Sequence, residues 1–269
     1  MVNTTVGFLQ FKPELGKVKD NVERVRGIIE QAGILPRYLV LPELFSTGYA
    51  IMDAKLLMEL AEDTVEGGLA VRTLRGLARK YRIYISFGIA ERHKGKLYNS
   101  AVLVGPGGLI GVYRKLHLFY KENLIYTRGD MGLPVFTTGK GIRVGMIVCF
   151  DYFFPESIRT LALKGAHIIL HPSNLVMPYC QTFTRVRSAE NRVFVVCANR
   201  TGSEMLEGEE LNFTGMSQVT SPKGDVILSV DRTFEGIEVV DISIDEAIHK
   251  SINPFNDIMK MRRTDVYFT

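Results

Sequence analysis

Short apolar runs recur along the chain from residue 4 to residue 242, separated by helical periodicity or tight turns and by no linker. That alternation is the strongest constraint on the fold, because such runs pack as sheet, and the amphipathic segments between them cover it. Strands are expected at 4–11, 37–42, 82–90, 97–104 and 108–115. Val18, Val22, Val25, Ile28 and Ile29 fall at helical spacing within 16–33, and two more helices are expected near 53–62 and 67–81. The second half resembles the first. A strand at 142–149 leads to a helix opening at Pro155-Glu156, then strand 167–171, helix 181–192 and strand 193–199. A hairpin on Pro222-Lys223-Gly224-Asp225, a last strand at 236–242, a short helix and a tail complete the chain. The expected class is α/β with a mixed sheet core. Gly105-Pro106-Gly107-Gly108 is read as hairpin chemistry rather than a dinucleotide fingerprint, because a strand and not a helix follows it.

Composition narrows the function classes. Lys plus Arg number 33 against 29 Asp plus Glu, and no basic block reaches the clustering that nucleic acid demands, so no nucleic-acid partner is expected. The apolar run at 142–154 is broken by Arg143 and Asp151, so no membrane span is expected either. The chain opens without a basic, then apolar, leader. A reducing cytoplasm is therefore the expected compartment, with Cys149, Cys180 and Cys197 as free thiols.

Three places put a charged or reactive residue at the end of an apolar strand. Glu43 follows Val40-Leu41-Pro42, Lys115 closes strand 108–115, and Cys149 ends strand 142–149 just before a helix start. Strand ends facing a crevice are where open α/β sheets place ligands. A carboxylate, an ammonium and a thiol meeting there would form a chemically complete set: a base for the thiol proton, a nucleophile, and a cation for developing negative charge. Each residue alone also has a simpler reading. A strand-end Cys is commonly inert core, a Glu beside Pro a solvated loop charge or a cap, and a strand-end Lys a gatekeeper with its head in water.

Taken together, the segments resemble the nitrilase superfamily of carbon–nitrogen hydrolases. The likeness is carried by Pro42-Glu43 with Ser46-Thr47-Gly48-Tyr49, by Tyr113-Arg114-Lys115 with His117-Leu118-Phe119, and by Cys149-Phe150-Asp151 with Phe154-Pro155-Glu156. His171-Pro172-Ser173-Asn174 and Arg187 through Asn191-Arg192 extend it along the chain. The resemblance implies a four-layer α-β-β-α sandwich with two mixed sheets covered by helices, and a single domain over 1–269. It also implies homodimers that pair across the helical faces, sometimes assembled further, and the tail 254–269 (Pro254-Phe255 through Val266-Tyr267-Phe268) is apolar enough to be expected at the interface.

Carried over residue by residue, the family's roles make Cys149 the nucleophile, Glu43 the general base and acid, and Lys115 the stabiliser of the tetrahedral intermediate. Glu122 matches by spacing a second glutamate that orients Lys115 and substrate. Tyr49 and Asn174 match pocket-lining positions, with turn chemistry and capping as their alternative. The backbone N–H of Phe150 is expected as a second oxyanion donor. Partial burial would favour a Glu43 pKa nearer neutrality for its double duty. Phe119, Phe153 and Phe154 are expected to make a snug apolar pocket. Asp151 and Glu156 are expected to position the turn after Cys149, His117 to support it, and Cys180 and Cys197 to be inert. No metal and no cofactor is implied. The implied partner is a small molecule: an aliphatic amide first, an aliphatic nitrile or dinitrile second, an N-carbamoyl amine third. A catalytically idle binding or scaffold protein on the same fold is the alternative from another class.

Overall fold

The computed structural model describes residues 2–267. In its first half, β1 (Asn3–Gln10), α1 (Val18–Gln31), β2 (Tyr38–Val40), α2 (Ala54–Leu60), α3 (Leu69–Tyr81), β3 (Tyr84–His93), β4 (Lys96–Gly105) and β5 (Gly108–Arg114) follow in order. The second half runs β6 (Val135–Thr137), β7 (Arg143–Met146), α4 (Pro155–Leu163), β8 (Ile168–Pro172), α5 (Cys180–Asn191) and β9 (Phe194–Ala198). It continues through β10 (Ser203–Leu206), β11 (Glu209–Asn212), β12 (Gln218–Thr220), β13 (Val226–Ser229) and β14 (Gly236–Ser243).

Two six-stranded mixed sheets result, ordered β14-β1-β2-β3-β4-β5 and β13-β12-β9-β8-β7-β6. In each, a parallel trio (β1-β2-β3, β7-β8-β9) is flanked by antiparallel strands, so the halves repeat one pairing pattern. Alternation along the strands builds the layers. Leu9, Leu39, Ile85 and Phe87 point outward onto Val22, Val25 and Ile29 of α1 and Leu74 and Leu77 of α3. Val6, Phe8, Tyr38 and Val40 point the other way, into a core shared with Val144, Met146, Ile169 and Val195 of the second sheet. Ile158, Leu161 and Ala162 of α4 cover that sheet's far side. The architecture is the four-layer α-β-β-α sandwich.

The expected elements are present with ends moved by at most three residues. Three differences matter. The strand expected at 142–149 stops at Met146, because Cys149 adopts φ +40° and opens a 3-10 turn over Cys149–Phe153. The ribbon β10–β11 was not expected, since its sequence (Ser-Glu-Met-Leu-Glu-Gly-Glu-Glu-Leu-Asn) is too acidic to read as strand. The two-residue turn at Glu207-Gly208, both at positive φ, folds it back. The short strand β6, at the sheet edge, was also not expected. After β14, a short helix (Asp245–Ile248) and a small two-stranded ribbon (Ser251–Asn253 with Asn256–Asp257) lead to Met259, which packs against the core, with Ile258, Arg262 and Tyr267 beside Arg159 of α4. Phe268 of the expected tail lies outside the described residues. Among the described residues no helix is long and apolar enough to cross a membrane.

Candidate active site

Glu43, Lys115 and Cys149 each sit just past a strand end, and local contacts hold each one. The turn bearing Glu43 lies against β3, where Gly88 N–H donates to the Pro42 carbonyl (3.1 Å) and Phe45 N–H donates to the Gly88 carbonyl (3.0 Å). Only glycine permits this approach, because a Cβ at 88 would sit 2.5 Å from the Glu43 Cα. Lys115 N–H donates to the Asn99 carbonyl (2.8 Å), and its own carbonyl receives Gly129 N–H (2.9 Å). Cys149 is held at φ +40°, a strained value for a residue with a Cβ. His171 Nε2–H donates to its carbonyl at 3.0 Å.

Asp151, wholly buried, ties the Cys149 turn to the Lys115 segment. Its Oδ2 accepts from Val148 N–H (2.9 Å) and the Tyr113 hydroxyl (2.7 Å). Its Oδ1 lies 3.1 Å from His117 N and 2.7 Å from His117 Nδ1. The support expected of Asp151 and His117 thus has visible hydrogen bonds. Glu156 does not share it: it is exposed in the first turn of α4.

The structure brings four of the expected residues into one buried cluster. Lys115 Nζ is 2.8 Å from Glu43 Oε1 and 2.8 Å from Glu122 Oε1. The Tyr49 hydroxyl donates to Glu122 Oε1 (2.9 Å), and Asn99 Nδ2 donates to Glu43 Oε1 (2.7 Å). Glu43 is fully buried rather than partly so, with Lys115 and Glu122 nearly as enclosed. Glu43 Oε2, Asn99 Oδ1 and both polar atoms of Asn174 are buried without a hydrogen-bond partner. Buried polar atoms are rarely left so, and a cluster of them marks a place built for an incoming group.

Burial alone would pull the Lys115 ammonium down, but the Glu122 and Glu43 carboxylates outweigh it and hold it well above its ordinary value. Burial pushes the Glu122 carboxyl up, with Lys115 opposing and Glu43 adding to the rise. The Cys149 thiol is pushed well up, first by burial and then by Glu43, against Lys115. At neutral pH the sulfur therefore rests as a thiol beside the Lys115 ammonium, and a nucleophilic role for it would require a base.

Cys149 and Asn174 open onto a narrow crevice walled by Phe119, Phe150, Leu175, Val176 and Met177. The Cys149 thiol lies 3.7 Å from the Asn174 carbonyl. Of the three rings expected to line it, only Phe119 does; its neighbour in the wall is the Phe150 ring, 5.1 Å away, which was expected only for its backbone N–H, and Phe153 and Phe154 lie elsewhere. Three residues per turn stack Phe153 behind Phe150 (5.5 Å), toward Phe183, while Phe154 stacks on His117 (3.7 Å). Tyr49 faces a second crevice with Glu122, Tyr126 and Leu206. Cys180 is buried with its thiol on the Tyr152 hydroxyl (2.9 Å), and burial pushes the Cys197 thiol up to about 12. All three cysteines are free.

Sequence reasoning missed Asn99 and gave His171 no role. The available signal was a polar residue inside the apolar run 97–104, and an aromatic base where strand 167–171 ends. As a whole, the arrangement offers a nucleophile, a carboxylate with one open oxygen, and a buried cation. That set suits attack on an electrophilic carbon bearing a basic leaving atom.

Comparisons with known proteins bear on the family and the fold. The profile of the carbon-nitrogen hydrolase family matches residues 5–249. The chain is 43% identical over 264 residues to a nitrilase of Pyrococcus abyssi, covering 98% of both chains. It is 34% identical over 231 residues to an (R)-stereoselective amidase of a Pseudomonas species, covering 84% of this chain and 79% of that one. A solved carbon-nitrogen hydrolase of Helicobacter pylori superposes with a TM-score of 0.86 at 26% identity, over 99% of this chain and 97% of that one.

Proposed function

The chain belongs to the carbon-nitrogen hydrolase family, and from that premise we propose that it hydrolyses small aliphatic amides through a thioester on Cys149. The observation that carries this reading is the Glu43–Lys115–Glu122 cluster, closed to solvent, with Glu43 Oε2 left open. In the first step the Cys149 Sγ–carbon bond forms as the thiol proton passes to Glu43. Lys115 Nζ and the Phe150 N–H receive the negative oxygen, each such donor lowering the barrier by about 3 kcal/mol in a dry site. Glu43 then returns its proton to the nitrogen, the carbon–nitrogen bond breaks, and ammonia leaves. Water adds to the thioester as Glu43 takes its proton, and the acid departs as the thiol re-forms. Glu122 holds Lys115 in place between the two carboxylates.

The open groups favour an amide. Glu43 Oε2, Asn99 Oδ1 and Asn174 Oδ1 are acceptors without donors, and a carboxamide –NH2 supplies donors that a nitrile lacks. Phe119, Phe150 and Met177 suit a short apolar acyl group. A nitrile is the second reading, favoured by the 43% identity to the Pyrococcus abyssi nitrilase. The test is ammonia release from a panel of small amides, nitriles, dinitriles and carbamoyl amines, beside Cys149→Ala. Activity that survives in that variant removes the mechanism, and a nitrile-only profile removes the amide reading.

Residues 1–269 are read as one domain that works as a homodimer, with 254–269 at the contact. Phe255, Met261 and Val266 support this, as apolar side chains of that segment left exposed.

A further inference from the structure

The ribbon β10–β11 lies outside both six-stranded sheets, yet it carries a buried carboxylate that the reaction as described does not use. Glu204 is 7% exposed. Its Oε2 accepts the backbone N–H groups of Tyr49 (2.9 Å) and Ala50 (2.8 Å), and its Oε1 is bonded by Arg200 Nη1. Arg200 is itself fully buried, with Nη2 on the Pro13 carbonyl (3.3 Å) and its guanidinium 4.1 Å from the centre of the Phe213 ring. The Phe213 ring meets that of Tyr49 edge-on at 6.1 Å.

The same ribbon grips the turn that carries Glu122. The Tyr120 hydroxyl donates to Glu209 (2.9 Å) and Lys121 Nζ to Glu207 (2.6 Å). Both grips converge on one hydrogen bond, from Tyr49 to Glu122 Oε1, the oxygen that also receives Lys115 Nζ. The grips differ in kind. Glu207 and Glu209 are exposed, where ion pairs hold weakly, whereas Glu204 and Arg200 are out of solvent and satisfy two backbone donors.

We infer that Glu204 is a positioning residue for the reaction: locked by Arg200, it sets the Tyr49 loop so that the phenol fixes Glu122, and through Glu122 the Lys115 ammonium. The inference rests on the hydrolase reading, so one arm of its test needs no turnover. Glu122 is faced by Lys115, Glu43 and Tyr49, and Tyr126 lies against the same cluster. The Tyr49 hydrogen bond lowers the Glu122 pKa, so its loss moves the acid limb of any process governed by this cluster to higher pH.

The experiment compares Tyr49→Phe, Glu204→Gln and the double variant by kcat, KM and the pH dependence of Cys149 alkylation by iodoacetamide. We expect each single variant to lower kcat about tenfold with a smaller change in KM. Each should raise the acid limb of alkylation by about half a pH unit, the scale of one hydrogen bond. The double variant should be no worse than either single one, because both changes break the same link. If Glu204→Gln does not fold, Glu204→Asp keeps the charge for Arg200 but withdraws it from Tyr49 and Ala50, and the same shift is expected. Multiplying losses in the double variant, or an unmoved acid limb in folded Glu204 variants, overturns the inference. An absence of turnover in the wild-type protein defeats the hydrolase reading instead, while the alkylation profile still decides the role of Glu204.

Discussion

Arg114 and Lys115 are neighbours in sequence and both are buried cations, yet their ion clusters differ in character. Arg114 meets Glu91 through two parallel hydrogen bonds (2.8 and 2.9 Å), reaches Asp130 at 2.9 Å, and lies 4.0 Å from the centre of the Tyr98 ring. Ser100 donates to the same Glu91 carboxylate at 2.6 Å, which leaves neither of its oxygens unpartnered. Lys115, turned to the other side of the chain, serves two carboxylates with one ammonium, and Glu43 Oε2 is left open. Closed clusters specify the fold, whereas an open one is held by the surrounding fold at some cost to stability. Two clusters born of one dipeptide thus separate structure from chemistry.

The largest effect that sharpens this contrast comes from paired isosteric changes. Glu43→Gln should lower kcat/KM at least about 10³-fold. Its thermal midpoint should stay level or rise, because one of two carboxylates competing for Lys115 becomes neutral. Glu91→Gln should do the reverse, costing about 3 kcal/mol of stability by breaking a buried pair while changing kcat by less than about threefold. Calorimetry and steady-state kinetics on both variants check this, and equal destabilisation by the two would break the contrast.

His171 lies between the two types, with Nε2 satisfied by the Cys149 carbonyl and Nδ1 buried without a partner. Burial lowers its pKa to about 4 from an ordinary 6.5. Below pH 6.5 the unfolded chain therefore takes a proton that the folded one refuses. Stability should fall as pH drops from 6.5 toward 4, by about 3 kcal/mol at the lower end. Urea midpoints across that range should show the slope, and His171→Gln should flatten it.

A smaller contrast separates the three thiols. Iodoacetamide at neutral pH should label Cys149 about tenfold faster than Cys180 or Cys197, because in the proposed mechanism Glu43 takes the proton of Cys149 alone. Mass spectrometry of partly labelled protein reads the order, and equal rates would remove the activated-nucleophile role. The smallest effect on chemistry is expected from a change far from both clusters. Deleting 254–269 should leave kcat within about twofold and weaken the dimer. An unchanged sedimentation coefficient would defeat the proposed contact.

The site residues differ in how far they could be read from sequence. Glu43, Lys115 and Cys149 stand in short segments whose neighbours are themselves part of the signal, so each was recognisable locally. Glu122 could be matched only by spacing, and Asn99 was hidden in a strand that reads as ordinary core. Phe153 and Phe154 were misplaced because a 3-10 turn, not a strand or an α-helix, follows Cys149 and rotates them away from the crevice.

The sequence by itself determined the layered α/β class, the family, and the three strand ends where reactive groups stand. These follow from periodicity and from contiguous segments, which local chemistry writes into neighbouring residues. Only the tertiary structure decided which groups meet. It set Lys115 between two carboxylates, left Glu43 Oε2 open while closing the Glu91–Arg114 pair, and ran Glu204 across 154 intervening positions to the Tyr49 backbone. The physical reason is that hydrogen bonds and desolvation depend on separation in space. Strand pairing sets that separation, and distance along the chain does not.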